Sequence, residues 1–263
     1  MTGFRRYIVV GCTAVCLGAA VPAGAGTLKC PPDSVKVGTV CVDTYEASVW
    51  QIAPSNTALV KLVQAGKASL AALTAGGATE LGCVPGSQTP YPASFPVNGN
   101  WTAPVYAASI AGVLPSTCIS WFQAEQACAL SNKRLVTNQE WQRAAAGTPD
   151  DPASCNISNS MAPVFNTTGS APACVSNWGT FDMVGNVWEL VGDWQEQATL
   201  SNNWPAGDFA SDFSDVGGTG TGRPGEVFRG GYWKMGANAG IFAMDATHDP
   251  SGSGPAVGFR CAR

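Results

Sequence analysis

Apolar positions recur along this chain with two different spacings. Residues 30–50, CPPDSVKVGTVCVDTYEASVW, carry β-branched runs on both sides of a Gly turn, which predicts a hairpin. Residues 57–74 place Leu59, Leu62, Val63, Leu70 and Leu73 near helical spacing, with Gly66 as the weak point of the predicted helix. In residues 118–147, Ser120-x-x-Gln123 is a capping-box pattern followed by Ala124, Ala127, Cys128 and Leu130. Thr137-x-x-Glu140 opens a second helix that Gly147 closes, so two short helices are predicted, joined through Lys133-Arg134-Leu135. Residues 83–105, rich in Pro, Gly and Asn, predict an ordered loop that covers Tyr91 and Trp101. Beyond Gly147 the helical period disappears. TPDDP, NTTGSAP, GGTGTGRPG and DPSGSGP separate short strand-like pieces such as EVFRGGYW and VGFRCAR. Helices followed by loops and short strands make an α+β pattern.

The first residues read differently. Arg5 and Arg6 precede an apolar run from Tyr7 to Val21, then Pro22 and Ala23-Gly24-Ala25. These are the three parts of a secretory signal, so residues 1–25 are expected to be a leader and 26–263 an exported domain. The run is too short for the ~20 residues a membrane-crossing helix needs. Of ten cysteines, Cys12 and Cys16 fall in the leader. The other eight, Cys30, Cys41, Cys83, Cys118, Cys128, Cys155, Cys174 and Cys261, read as disulfides in an exported chain. Spacing suggests local loops at Cys30–Cys41 and Cys155–Cys174 and leaves the other pairings open. Zinc is not expected, because paired CxxC spacing and His partners are missing. Charged residues are only 12%, while Gly (31) and Pro (18) are abundant, which excludes a coiled coil or long bundle. A net charge of −4 without a basic stripe argues against nucleic acid.

Three blocks resemble one family. ISWFQAEQACALSNKRLVTNQEWQRAAAG is similar to V-S-W-x-x-A…C…G-K-R-L-P-T-E-x-E-W, FDMVGNVWELVGDW to D-M-x-G-N-V-W-E-W-x-x-D, and VFRGGYW…VGFRCAR to R-G-G-S-W and a terminal G-F-R. Tyr45-Glu46 is a weaker match to an early Y-E. They identify the chain as similar to the formylglycine-generating enzyme (sulfatase-modifying factor) domain family. The resemblance implies an irregular, loop-rich, C-type-lectin-like fold. Segments 51–115 and 195–222 match nothing in it, and 51–115 reads as a family-atypical insertion. The resemblance also implies a Cys128–Cys261 bridge, which leaves Cys83–Cys118 as the last pair if both local loops form.

Active members of the family oxidise a substrate cysteine to formylglycine with two copper-binding cysteines. Aligned on Gly230-Gly231, those positions hold Met235 and Gly240. Copper is therefore not expected, since a thioether and a bare glycine cannot make a two-thiolate site. A related branch uses three His to hold iron; here His248 stands alone and is expected on a loop. The resemblance maps a calcium site onto Asp182, Gly185, Val187 and Glu189, carboxylates and carbonyls being ligands calcium takes, and the start of a second onto Asn156 and Ile157. The competing reading of Asp182 and Glu189 is turn capping and a buried hydrogen bond. Asp208, Asp212 and Asp215 read as a solvated loop. Trp121, Trp141, Trp188 and Trp233 are expected in the core, whereas Trp101, Trp194 and Trp204 lie in predicted loops where a groove is conceivable. The expected function is a calcium-stabilised, non-catalytic binding or structural module, secreted or periplasmic, with its contact surface in the irregular 195–255 region. Its partner would be a protein, peptide or glycan, with no membrane once the leader is gone. The alternative is an oxidoreductase of the formylglycine-generating type acting on protein cysteine, or a related altered chemistry.

Overall fold

The computed structural model describes residues 28–84, 86–158, 165–198, 211–217 and 222–263. The leader, Trp204 and Asp208 lie outside the described residues. The predicted hairpin forms from β1 (Ser34–Val37) and β2 (Val40–Asp43), with Gly38 at φ +64° in its turn. The rest of the predicted segment departs as β3 (Ala47–Gln51), the middle strand of a separate sheet between β4 (Thr79–Leu81) and β5 (Val105–Ser109). The hairpin's own sheet is completed from far along the chain. Its strand order is β1, β2, β12 (Cys261–Ala262), β6 (Arg134–Leu135). A five-stranded sheet runs in the order β11 (Val257–Phe259), β7 (Trp188–Glu196), β9 (Pro224–Gly230), β10 (Gly240–His248), β8 (Ser214–Asp215).

The predicted helix over 57–74 is two helices, α1 (Thr57–Gln64) and α2 (Leu70–Ala75). Gly66 takes φ +65°, a left-handed conformation that ends the first helix. Ser69 then caps the second by accepting from the Ala72 N–H at 3.2 Å. Together they close a small core of Trp50, Ile52, Leu59, Val63 and Leu73 over the β3 sheet. The two helices predicted from capping boxes appear as α3 (Trp121–Leu130) and α4 (Asn138–Ala144), with both boxes formed. The described residues thus hold four α-helices where the spacing predicts three. None is long and apolar enough to cross a membrane.

The eight described cysteines form four bridges, Cys30–Cys41, Cys83–Cys118, Cys128–Cys261 and Cys155–Cys174. Trp141, Trp188 and Trp233 are buried, and the half-buried Trp121 donates its indole N–H to the Val191 carbonyl at 2.9 Å. The 83–105 loop half-covers Tyr91 but leaves Trp101 55% exposed. Gln126 Oε1 accepts from the Asn100 and Trp101 N–H groups and fixes a turn in which Trp101 stands at φ +60°, pointing its ring outward. Trp194 belongs to β7, not a loop, and stacks edge-on against Trp121 at 4.9 Å.

The described part of 195–255 is also more regular than its Gly- and Ala-rich sequence suggests. β9 and β10 are seven and nine residues long and pair with each other. Register shifts in β10, between Gly240 and Met244 and again between Asp245 and His248, break the period of two that a strand would show in sequence.

Candidate functional site

The turn that leads into β7 gathers most of the residues marked for calcium. Asp182, Gly185 and Asn186 all take positive φ (+59°, +78° and +55°), which curls residues 182–187 tightly. Gly185 is required there: a Cβ would sit 2.3 Å from the Asn156 carbonyl oxygen. Asn186 N–H donates to that carbonyl at 2.9 Å, and the Gly236 N–H donates to the Ile157 carbonyl at 2.6 Å. Asn156 and Ile157 are thus brought against the 182–187 turn.

The side chains are committed to protein partners. Glu189 accepts from Arg260 Nη2 at 2.7 Å, from Arg260 Nε at 3.0 Å and from Trp141 Nε1 at 2.7 Å. Asp182 Oδ2 accepts from the Gly169 N–H at 2.6 Å. Glu46, not marked as a ligand from sequence, is fully buried beside them and accepts from the Asn186 amide and, at 3.2 Å, the Val187 N–H. Its only sequence signal is the Tyr45-Glu46 pair, an acid set before an apolar strand. Burial, then the charges of Asp182 and Glu189, hold the Glu46 carboxyl well above its usual range. Burial pushes Asp182 up to about 6 against the pull of the Gly169 N–H and Arg260. Among the described residues no three His, Cys, Asp or Glu side chains converge as a metal-holding group. Three carboxyl groups, Glu46, Asp182 and Glu189, here face the Arg260 guanidinium.

The positions aligned with the copper thiols lie after β9. Gly230 and Gly231 take φ +88° and +86°, and the Met235 thioether is packed into two apolar clusters. Gly240 pairs with Gly230, and a Cβ at 240 would stand 2.1 Å from Asp212 Oδ1. Asp212 is therefore no solvated loop residue: it is 8% exposed, and its carboxylate accepts the Phe242 N–H at 2.7 Å. The eight described cysteines are all bridged. These residues do not fit a copper–thiolate centre.

A cavity of about 300 Å³ opens on the face of β9 and β10, walled by Trp188, Phe228 and Tyr232 with Glu226, Asp245 and His248. In the strand pair, His248 faces Glu226 and Asp245 faces Phe228, and the bulge between Asp245 and His248 turns both toward the cavity. His248, expected on a loop, ends a strand. Its Nδ1 lies 3.5 Å from Asp245 Oδ1, an interaction that raises the imidazole. Burial works to raise Asp245, but His248 and Thr247 hold it below the usual range. Glu226 is 1% exposed and its Oε2 has no hydrogen-bond partner. Burial, then the Asp245 charge, pushes its carboxyl up to about 9.

Residues 98–263 match the family model described as the sulfatase-modifying factor enzyme 1-like domain. A formylglycine-generating enzyme of Thermomonospora curvata is 31% identical over 174 residues, which cover 56% of this chain and 55% of that protein. Serine/threonine-protein kinase pkn1 of Chlamydia caviae is 27% identical over 159 residues, 57% of this chain but 24% of the kinase. The chain thus spans about half the length of the first relative and a quarter of the second. Among solved structures, PvdO from Pseudomonas aeruginosa aligns at TM-score 0.47 and 18% identity over 85% of this chain and 80% of that one.

Proposed function

The chain belongs to the sulfatase-modifying factor enzyme 1-like family, and on that premise we propose that it is a non-catalytic, calcium-stabilised binding or structural module of an exported protein. The observation that carries this reading is at Gly240: the space a thiol side chain would need is filled by the Asp212 carboxylate. Met235 supplies a half-buried thioether packed against the core, and each described cysteine is used in a bridge. Four disulfides suit an oxidising compartment. Calcium is supported by the charge balance at the β7 turn. Three carboxyl groups, Glu46, Asp182 and Glu189, share one buried counter-charge, Arg260, and a divalent cation would relieve the crowding that raises Glu46 and Asp182. When bound, that ion would supply charge and a fixed coordination shell to the carbonyls of residues 182–187, with Asp182 and Glu46 as carboxylates beside them. Recognition of a protein, peptide or glycan would then fall to the surface built on β7, β9 and β10, because sites are usually carried at the edges of a rigid frame.

Copper titration tests the reading. The disulfide-intact chain is expected to take up no Cu(I) tightly and to leave a cysteine-containing peptide unoxidised in air. Stoichiometric Cu(I) binding with conversion of that peptide would restore the oxidoreductase alternative.

A further inference from the structure

The cavity on β9 and β10 gives chemical content to the binding-module reading, on which this inference rests. Three aromatic side chains frame it: the Trp188 ring centroid lies 6.3 Å from that of Phe228 and 6.5 Å from that of Tyr232. Its polar members are unbalanced. Two carboxyl groups, Glu226 and Asp245, line it, the Asp249 charge reaches Glu226 as well, and among the described residues the one basic group in its wall is His248, already paired to Asp245. We infer that this cavity binds a small organic cation carrying N–H donors, a guanidinium or primary ammonium group, held against the aromatic wall of Trp188 and Tyr232 and by the carboxylates of Glu226 and Asp245.

Each feature selects for positive charge. Ring faces attract cations most strongly where water is excluded. Glu226 Oε2 is a buried oxygen with no partner, and such atoms are uncommon because leaving one unpaired is costly. An anion would meet two carboxyl groups, and a neutral ligand would bring no countercharge to Glu226. At about 300 Å³ the cavity is at the small end of ligand pockets, the size of a head group and not of a polymer.

Entry of the cation has a definite proton balance. The titratable groups around Glu226 are Asp245, Asp249 and His248; without a ligand, burial and the charges of Asp245 and Asp249 push its carboxyl up to about 9, so it holds its proton at neutral pH. A guanidinium supplies the countercharge that Glu226 lacks, so the carboxyl releases its proton to solvent as the complex forms.

Isothermal titration of the full disulfide-intact chain with propylguanidinium at pH 7, in two buffers of different ionisation enthalpy, tests this. Binding is expected with release of nearly one proton per cation, while propylurea (the same shape without charge) and propionate produce no heat. Glu226→Gln, which copies the shape of the protonated acid, is expected to weaken binding at least tenfold and to abolish proton release. Asp245→Asn is a second variant, expected to weaken binding without removing the proton release. Equal binding of propylurea, binding without proton release, unchanged affinity in Glu226→Gln, or no binding at millimolar propylguanidinium would each overturn the assignment. These outcomes are separate from copper uptake: a dry cavity in a chain that ignores copper defeats the cation site alone, whereas copper uptake defeats the non-catalytic reading and leaves the cavity standing.

Discussion

Arg260 lays its guanidinium against the carboxylate of Glu189, Nη2 to Oε1 at 2.7 Å, where neither side chain meets solvent. The same guanidinium donates to the Asp43 carbonyl at 2.8 Å and the Phe181 carbonyl at 2.6 Å. One side chain near the end of the sequence therefore ties together β2, the turn before β7, and β7 itself. Arg260→Met removes the countercharge of the buried Glu189, which keeps only the bond from Trp141 Nε1. The expected cost is about 3–5 kcal/mol, read as a lower urea midpoint. Adding Glu189→Gln should restore part of the loss, because the orphaned charge is then gone.

Calcium removal addresses the same centre from the other side. If a divalent cation offsets the excess charge of Glu46, Asp182 and Glu189, chelation at neutral pH lowers the melting temperature by roughly 5 °C or more. Asp182→Asn should shrink that difference. A melting temperature indifferent to chelator counts against the ion.

Glu226 sets a pH dependence whose sign follows from its environment. The folded chain keeps this proton up to about 9, whereas the unfolded chain releases it near 4.5. The group's contribution to stability is therefore complete below 4.5 and declines as pH rises through that window. Glu226→Gln cannot ionise. Parent and variant should melt together at pH 4, and the variant a few degrees higher at pH 8, as differential scanning calorimetry would record.

The bridges differ in what they close. Cys128–Cys261 joins residues 133 apart in sequence, Cys30–Cys41 only 11 apart. Replacing the first pair with Ala is expected to cost about 4–5 kcal/mol and the second about 2–3 kcal/mol, since a longer loop restores more freedom to the unfolded chain. Guanidinium denaturation of the two double variants compares them directly.

What the sequence disclosed was mostly local. The starts of α3 and α4 are legible because Ser120 and Thr137 satisfy backbone groups three residues away, an interaction that needs no tertiary context. Gly66 was visible as a weak point, but that it would split the helix depends on its positive φ. Glu46 escaped because its meaning lies in Asn186, 140 residues further on. The Gly- and Ser-rich surroundings of Asp212 suggest a solvated loop, and nothing in them shows that Gly240 makes room for its carboxylate. The cavity was hidden by the same bulge that built it. A strand that skips its register at Asp245–His248 does not announce which of its residues share a face.

The position of β12 between β2 and β6 has a consequence for biosynthesis. When the ribosome has delivered the first hairpin, the partner that must flank it has not been made, and more than two hundred residues intervene between β2 and Cys261. The nascent chain has to hold an open sheet edge throughout that interval. Completion of the N-terminal layer therefore waits until residues 261–262 have been synthesised, and a product stalled before them would expose that edge to chaperones and proteases.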